Sequence, residues 1–369
     1  MEEIISLTQD LIRFKTIQSQ PAQIKQCFLF IEDYLKTCGA QYRRLDHNDV
    51  PSIIVMPPHG LAPLLLMSHI DVVDGPDSLF QPQLKNKALY GRGSIDDKYA
   101  VALSLVLVKN HLQQLQQNGK NQNDLPFGIL ITADEEIGGA NGARQALKEI
   151  KAEFCIALDG GRLKKIVVKE KGIIKLKLIA RGKTAHGARP WLGENAIENL
   201  ISDYQVLKRY FELHTADHWE RTLNFSRIQA GKASNQVPDY AEALFDIRYT
   251  ENDDMEAVFQ NIRQEIKGEL VVEKIEPLFN GGNSPYLDLL LKIAEDAEVG
   301  FEHGASDARF LSAHRIKGIV WGANGDMSQH SADEHVNIDS VARLFDLLVE
   351  FINRLAEVNN NVANTSTDK

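Results

Sequence analysis

Five short clusters of acidic residues and histidine recur along the chain, each beside an apolar run: Ser68-His69-Ile70-Asp71, Asp96-Asp97, Asp134-Glu135-Glu136, Asp159 and His330. Two imidazoles and several carboxylates make up the donor set that a pair of divalent metal ions needs. No cluster is specific by itself. His69 follows Leu64-Leu65-Leu66-Met67, at the carboxyl end of an expected strand, where open α/β sheets put their sites. Asp71, two residues on, leaves an extended chain on the same face and could hold the second ring N–H of a ligating imidazole. A surface histidine beside an incidental acid is the plainer alternative.

Asp96 and Asp97 follow a glycine-rich turn, Gly91-Arg92-Gly93, and lead into a helix. They could cap that helix, or one carboxylate could bridge two ions. Asp134, Glu135 and Glu136 follow the apolar run FGILIT, and three negative charges at a strand end are costly without a cation. Asp159 stands before Gly160-Gly161, either as a turn residue or as a ligand. His330 is one of eleven histidines and says little alone. The conjunction carries the weight: several clusters end expected parallel strands, where they would converge in space.

The rest of the chain must position these groups. Its 369 residues are enough for two domains. Net charge is −10, which disfavours a polyanionic partner such as nucleic acid. Three cysteines, Cys27, Cys38 and Cys155, without a CxxC pair, give neither a disulfide framework nor a thiolate zinc site. The first residues, MEEIISLTQDLIRF, lack the basic start and continuous apolar core of a secretory signal. The longest aliphatic run falls far short of the ~20 residues of a membrane helix. A cytoplasmic location is therefore expected.

Helices are expected over 2–15, 22–38 and 100–112, and buried strands over 52–56, 63–67, 127–132 and 153–158. This alternation implies an α/β layered domain with both sheet faces covered. Residues 166–181 (IVVKEKGIIKLKLIAR) alternate apolar with charged side chains, the mark of one half-exposed strand. A helix over 195–213, strands over 223–229 and 240–249, a helix over 254–268 and a strand over 269–275 complete a β-α-β-β-α-β unit. The expected division is a first domain of residues 1–171 and 283–358, an inserted domain of 172–282, and a disordered polar tail of 359–369. The last helix is expected over 339–357.

The strings SHIDVV, GRGSIDDK, TADEEIGG, ALDGG and HSADEHV, in this order, resemble the co-catalytic zinc hydrolases. That family includes desuccinylases, deacetylases, aminoacylases, dipeptidases and carboxypeptidases. The resemblance spans nearly the whole chain. It implies an α/β zinc-peptidase-like catalytic domain with an inserted α+β ferredoxin-like lid and dimerisation domain. It further implies two Zn²⁺ ions, with Co²⁺ or Mn²⁺ as possible substitutes. Position by position, Asp96 would bridge the ions, His69 and Asp159 would complete one site, and Glu136 and His330 the other. Glu135 would be the general base and Asp71 the partner of His69.

The segment Gly182-Lys183-Thr184-Ala185-His186-Gly187 is similar to a family motif whose histidine stabilises the transition state, sometimes across a dimer interface. The bland alternative is a turn histidine before a helix. Asn235 and Arg248 match substrate-holding positions of relatives. Ser306 and Arg309 lie in GASDARF, which resembles a desuccinylase segment. A guanidinium suits bidentate carboxylate binding, so Arg248 or Arg309 would clamp a free carboxylate, unless both are structural ion-pair partners. The implied activity is hydrolysis of an amide beside a carboxylate, in an N-acyl amino acid or short peptide, by a homodimer. A catalytically silent relative that acts as a binding module is the alternative.

Overall fold

A computed structural model describes residues 1–160 and 162–366, with side chains as far as residue 358. The chain forms two compact units. One comprises residues 1–169, 280–302 and 306–369, and the other residues 170–279 with 303–305.

In the larger unit, strands Phe127–Thr132, Leu61–His69, Lys151–Ala157 and Lys317–Val320 lie side by side and run parallel. Strands Val50–Val55 and Arg43–His47 extend one side of the sheet antiparallel. The parallel strands read as unbroken apolar runs because both faces are covered. Leu64, Leu66, Ile129, Ile131, Phe154 and Ile156 are fully buried. Helices Glu2–Arg13, Pro21–Thr37 and Lys98–Gln117 contribute Leu11, Phe28, Ile31 and Leu103 to the same core. Each such side chain contributes roughly 1.5–3 kcal/mol by leaving water.

The smaller unit has strands Gly172–Arg181, Thr222–Ala230, Tyr240–Tyr249 and Glu269–Glu276 and helices Ala196–Arg209 and Met255–Glu265. Its sheet is antiparallel throughout, with Gly172–Arg181 and Tyr240–Tyr249 at the centre. Along Gly172–Arg181, Ile174, Leu176, Leu178 and Ala180 are buried while Lys175 and Arg181 are exposed. The alternation places one sheet face under the two helices and leaves the other polar. Leu200, Leu207, Phe259 and Ile262 pack onto the covered face.

The stretch 166–181 departs from the single strand expected. It is two strands, Lys165–Glu170 and Gly172–Arg181, which join different sheets. Lys171 at the break is buried, and its ammonium donates to the carbonyls of His218 and Glu220 at 2.7 Å. A Cβ at Gly172 would meet the Tyr249 ring at 2.2 Å, so only glycine fits there. Regular alternation of buried and less buried side chains begins only at Gly172. The last helix is longer than the 339–357 expected. No glycine or proline follows residue 338, and the last helix runs unbroken over Ile338–Ser366; residues 367–369 lie outside the described residues.

One buried ion pair ties two distant loops of the larger unit. Arg92 donates to Glu334 Oε2, and Glu334 Oε1 accepts from the backbone N–H of Gly93 at 2.8 Å. Arg92 and Glu334 are both buried. The contact joins the turn before Asp96 to the loop that carries His330, and Arg92 also donates to the His330 carbonyl at 3.4 Å. Removing one partner from such a pair leaves an uncompensated buried charge. Glu334→Ala should therefore cost about 3–5 kcal/mol, read as a lower urea midpoint of the full chain. An unchanged midpoint would show the pair to be energetically idle.

Candidate metal centre

The parallel strands deliver the acids and imidazoles to one edge of the sheet. His69 is the last residue of Leu61–His69 and is in register with Thr132, the last residue of Phe127–Thr132. Met67 is in register with Ala157. The segments that follow these ends, Asp71, Asp134–Glu136 and Asp159, therefore begin at the same height. Asp96 comes from the turn before helix Lys98–Gln117, and His330 from the loop after Lys317–Val320.

Two donor groups result, and they share Asp96. His69, Asp96 and Asp159 form one, and Asp96, Glu136 and His330 the other, with the donor atoms of each within 4.8 Å of one another. His69 Nε2 lies 3.0 Å from Asp96 Oδ1 and 3.6 Å from Asp159 Oδ1. His330 Nε2 lies 3.1 Å from Asp96 Oδ2 and 3.2 Å from Glu136 Oε2. One carboxylate thus turns an oxygen to each group.

The state of His69 tests whether a metal fits. Its Nδ1 lies 3.0 Å from the Asp71 carbonyl oxygen, which can only accept, so a proton sits on Nδ1 and Nε2 is the ring atom turned to Asp96 and Asp159. That Nε2 is buried and, despite its short distance to Asp96, is aligned for a hydrogen bond with no neighbour. A buried ring nitrogen without a hydrogen-bond partner costs free energy, and a divalent cation bound there in place of a proton would remove that cost. The residues therefore fit a metal pair.

The electrostatics agree with this. Burial would lower the His69 pKa, but Asp159, Asp71 and Asp96 hold it well above the usual imidazole value. His330 is pushed up to about 10 by its contacts with Asp96 and Glu136. Burial works to raise the Asp96 pKa, yet His330 and His69 hold it below the ordinary carboxylate range. Burial, reinforced by Asp159 and Asp307, raises Glu135 well above that range. The edge draws positive charge wherever it can be had.

Several expectations look different in atomic detail. Asp97 opens helix Lys98–Gln117 but its side chain makes no cap hydrogen bond, and its buried carboxyl is raised well above the usual value by desolvation. It is joined to Asp96 by a cis peptide bond. For Asp71, the main hold on His69 comes from the backbone carbonyl, with carboxylate Oδ1 at 3.4 Å. That carboxylate instead accepts from the backbone N–H groups of Glu135 at 3.2 Å and Glu136 at 3.1 Å, and from Gln18 Nε2 at 3.1 Å. It fixes the turn bearing both glutamates. The reason is proximity: Phe127–Thr132 is the adjacent strand, so its turn meets Asp71 directly.

Asp134 closes the same turn by accepting from Asn141 and Gly142 N–H groups at 2.8 and 2.9 Å. It is a scaffold, as its place among three acids did not reveal. Gln18 also donates to the Ala133 carbonyl at 2.9 Å. Neither Gln18 nor the Arg92–Glu334 pair was among the expected site residues. Their partners lie from 53 to 242 positions away, and no local pattern encodes that distance.

Ser306 and Arg309 lie in the larger unit and both are buried. The Ser306 hydroxyl accepts from the Ala308 N–H at 3.3 Å. The Arg309 guanidinium is 3.5 Å from Glu135 Oε1 and 3.6 Å from Asp307 Oδ1. His186, Asn235 and Arg248 lie in the smaller unit. His186 pairs with Gln236 in a two-residue ladder, and Gly187 N–H donates to the Asn235 carbonyl at 2.7 Å. Both His186 and Asn235 are exposed. Arg248 donates to Asp246 on its own strand at 2.8 Å. Among the described residues, no helix is long and apolar enough to cross a membrane.

Known proteins with related sequences and folds share this organisation. Residues 65–354 match the peptidase family M20/M25/M40. A succinyl-diaminopimelate desuccinylase of Coxiella burnetii is 24% identical over 374 residues, covering 94% of this chain and 98% of the relative. A probable carboxypeptidase of Arthroderma otae is 26% identical over 294 residues, covering 71% of this chain and 62% of its own length. Among solved structures, a tripeptidase of Staphylococcus aureus superposes with a TM-score of 0.78 at 20% identity, covering 96% of this chain and 98% of that one. A metallo-carboxypeptidase of Sulfolobus solfataricus superposes with a TM-score of 0.76 at 18% identity, covering 96% and 99%. With its donor groups at the edge of a parallel sheet and a second unit inserted in the chain, this protein belongs to the M20/M25/M40 peptidase family and is a metal-dependent hydrolase.

Proposed function

We propose that the protein hydrolyses an amide bond next to a free carboxylate, in an N-acyl amino acid or a short peptide, with two zinc ions bound at the shared-Asp96 site. The observation that carries this reading is the division of labour among the three acids of one turn. Glu136 belongs to a donor group, Asp134 holds the turn closed, and Glu135 belongs to neither metal group while lying beside them. His69 and Asp159 would hold one ion, Glu136 and His330 the other, and Asp96 both. When bound, such ions acidify water and polarise a carbonyl.

Glu135 supplies what the ions do not. Its carboxylate takes a proton from the attacking water and hands it to the departing amine, so that a neutral leaving group departs. Asp71 fixes the backbone from which Glu135 projects and sets the His69 tautomer through its carbonyl. His186 and Asn235, both exposed at the end of this short ladder, are suited to donate hydrogen bonds to the developing oxyanion. Arg248 is suited to a substrate carboxylate, with Asp246 as its partner in the free protein.

The smaller unit carries the features of a homodimer surface. Strand Thr222–Ala230 forms one edge of its sheet. A bulge between Phe225 and Arg227 puts Phe225 opposite Phe245 and Ile228 opposite Ala243, on the helix-covered face. Phe225 also packs against Tyr204 of helix Ala196–Arg209, their rings 4.9 Å apart. Yet Phe225 and Ile228 are 37% and 53% exposed, and Ile201 on the same helix is 51% exposed. An open strand edge beside apolar side chains is a liability unless covered, and a second copy would cover it.

Three outcomes are expected. Hydrolysis assayed across N-succinyl, N-acetyl and dipeptide substrates by zinc- or cobalt-loaded enzyme should show turnover of a member with a free carboxylate, and Glu135→Gln should lower kcat by about 10²–10⁴-fold with metal content intact. Silence of the wild type across the panel, with metal bound, would favour a binding module. Asp96→Ala should abolish binding of both ions in equilibrium dialysis, whereas Asp159→Ala should abolish one; equal stoichiometry in the two variants would remove Asp96 from its bridging place. Sedimentation should give a particle of twice 41.3 kDa that Ile228→Lys converts to a monomer; a monomeric wild type would exclude the interface.

A further inference from the structure

We infer that Arg309 is a positioning residue for the Glu135 carboxylate, set beside Asp307, and does not clamp the substrate. This rests on the reading of Glu135 as general base. Arg309 follows the turn capped by Ser306, at the start of the 3₁₀ segment Asp307–His314. Only 3% of its side chain is exposed. A guanidinium that binds an incoming carboxylate must meet solvent in the free protein. This one faces two carboxylates of its own chain, Glu135 Oε1 at 3.5 Å and Asp307 Oδ1 at 3.6 Å.

Asp307 in turn touches both ends of the segment that carries Glu135. The Thr132 hydroxyl donates to Asp307 Oδ2 at 3.4 Å, just before the turn. Beyond the turn, a Cβ on Gly139 would come to 1.9 Å from Asp307 Oδ1, so the backbone lies directly on the carboxylate. Gly139 has φ +60°, a second reason for glycine there. Asp307 thus anchors the frame and Arg309 reaches from it to the side chain that must be aimed. Always protonated and rigid, a guanidinium is suited to hold a carboxylate in one orientation. Placed so, it leaves Glu135 little freedom to turn away from the reacting water.

The test uses full-length zinc-loaded enzyme and Arg309→Met, Arg309→Lys and Glu135→Gln variants, with kcat, KM and metal stoichiometry measured on any substrate the wild type turns over. Arg309→Met should keep two ions and a KM within about twofold, lose about tenfold or more in kcat, and regain part of it when guanidinium is added. Arg309→Lys, which keeps the charge, should lie between Met and wild type and serves if the Met variant does not fold. A raised KM with kcat unchanged would make Arg309 a substrate clamp and overturn the inference. So would a fall in kcat that guanidinium does not restore and Lys shares in full, which marks a merely structural role, and so would wild-type kinetics. An active Glu135→Gln would sink the general-base reading itself, whereas an inactive one beside a normal Arg309→Met would sink only the role of Arg309.

Discussion

The larger unit is organised around an electrostatic constraint at the carboxyl edge of its parallel sheet. Among the described residues, Asp71, Asp96, Asp159, Glu135 and Glu136 come together with His69 and His330 as the nearby ligands of other type. Such a cluster repels itself at low dielectric, and the protein responds in two ways. Imidazoles at the cluster are driven toward the protonated state, and burial drives the Glu135 and Asp97 carboxyls toward the neutral one. Cations bound between the groups would relieve both. The fold therefore holds a charge arrangement whose favourable form includes metal.

Holding it requires backbone donors and buried ion pairs. Asp71 takes two N–H groups of the neighbouring turn, Asp134 takes two more, and Glu334 takes that of Gly93. Each carboxylate fixes a segment that carries a donor for the metal site. The Arg92–Glu334 pair does so for two segments at once, since it joins the turn before Asp96 to the loop of His330. A buried ion pair is not in general a gain over apolar packing. Its use here is geometric, because apolar side chains would fill the space without fixing two polar loops in register.

How much of this was legible in the sequence depends on the range of the signal. Unbroken apolar runs announce the parallel strands, and a ligand set at their ends follows from α/β topology. His69 and the Asp134–Glu136 turn could be placed in that way, and the strict alternation of Gly172–Arg181 marked the smaller sheet. What stayed hidden is of two kinds. One is a break inside a continuous run of apolar and charged residues, as at Lys171, where the chain passes from one sheet to the other. The other is pairing over long separations: Arg92 and Glu334 stood in plain view within GRGSIDDK and HSADEHV, but nothing local shows that they meet.

The acids of TADEEIGG show why residue type alone under-determines role. Three neighbours of like charge take three tasks because each points at a different surface. Asp134 turns back to Asn141 and Gly142, Glu136 turns to His330, and Glu135 turns to Arg309. The turn that separates them is made by Gly138, with φ +104°, and Gly139, and by the close approach of Asp307. A side chain at Gly139 would push the turn off Asp307, and with it the frame that tells the three carboxylates apart. The glycines thus belong to the chemistry as much as the acids do, since a general base differs from a ligand one residue away only in where the backbone lets it point.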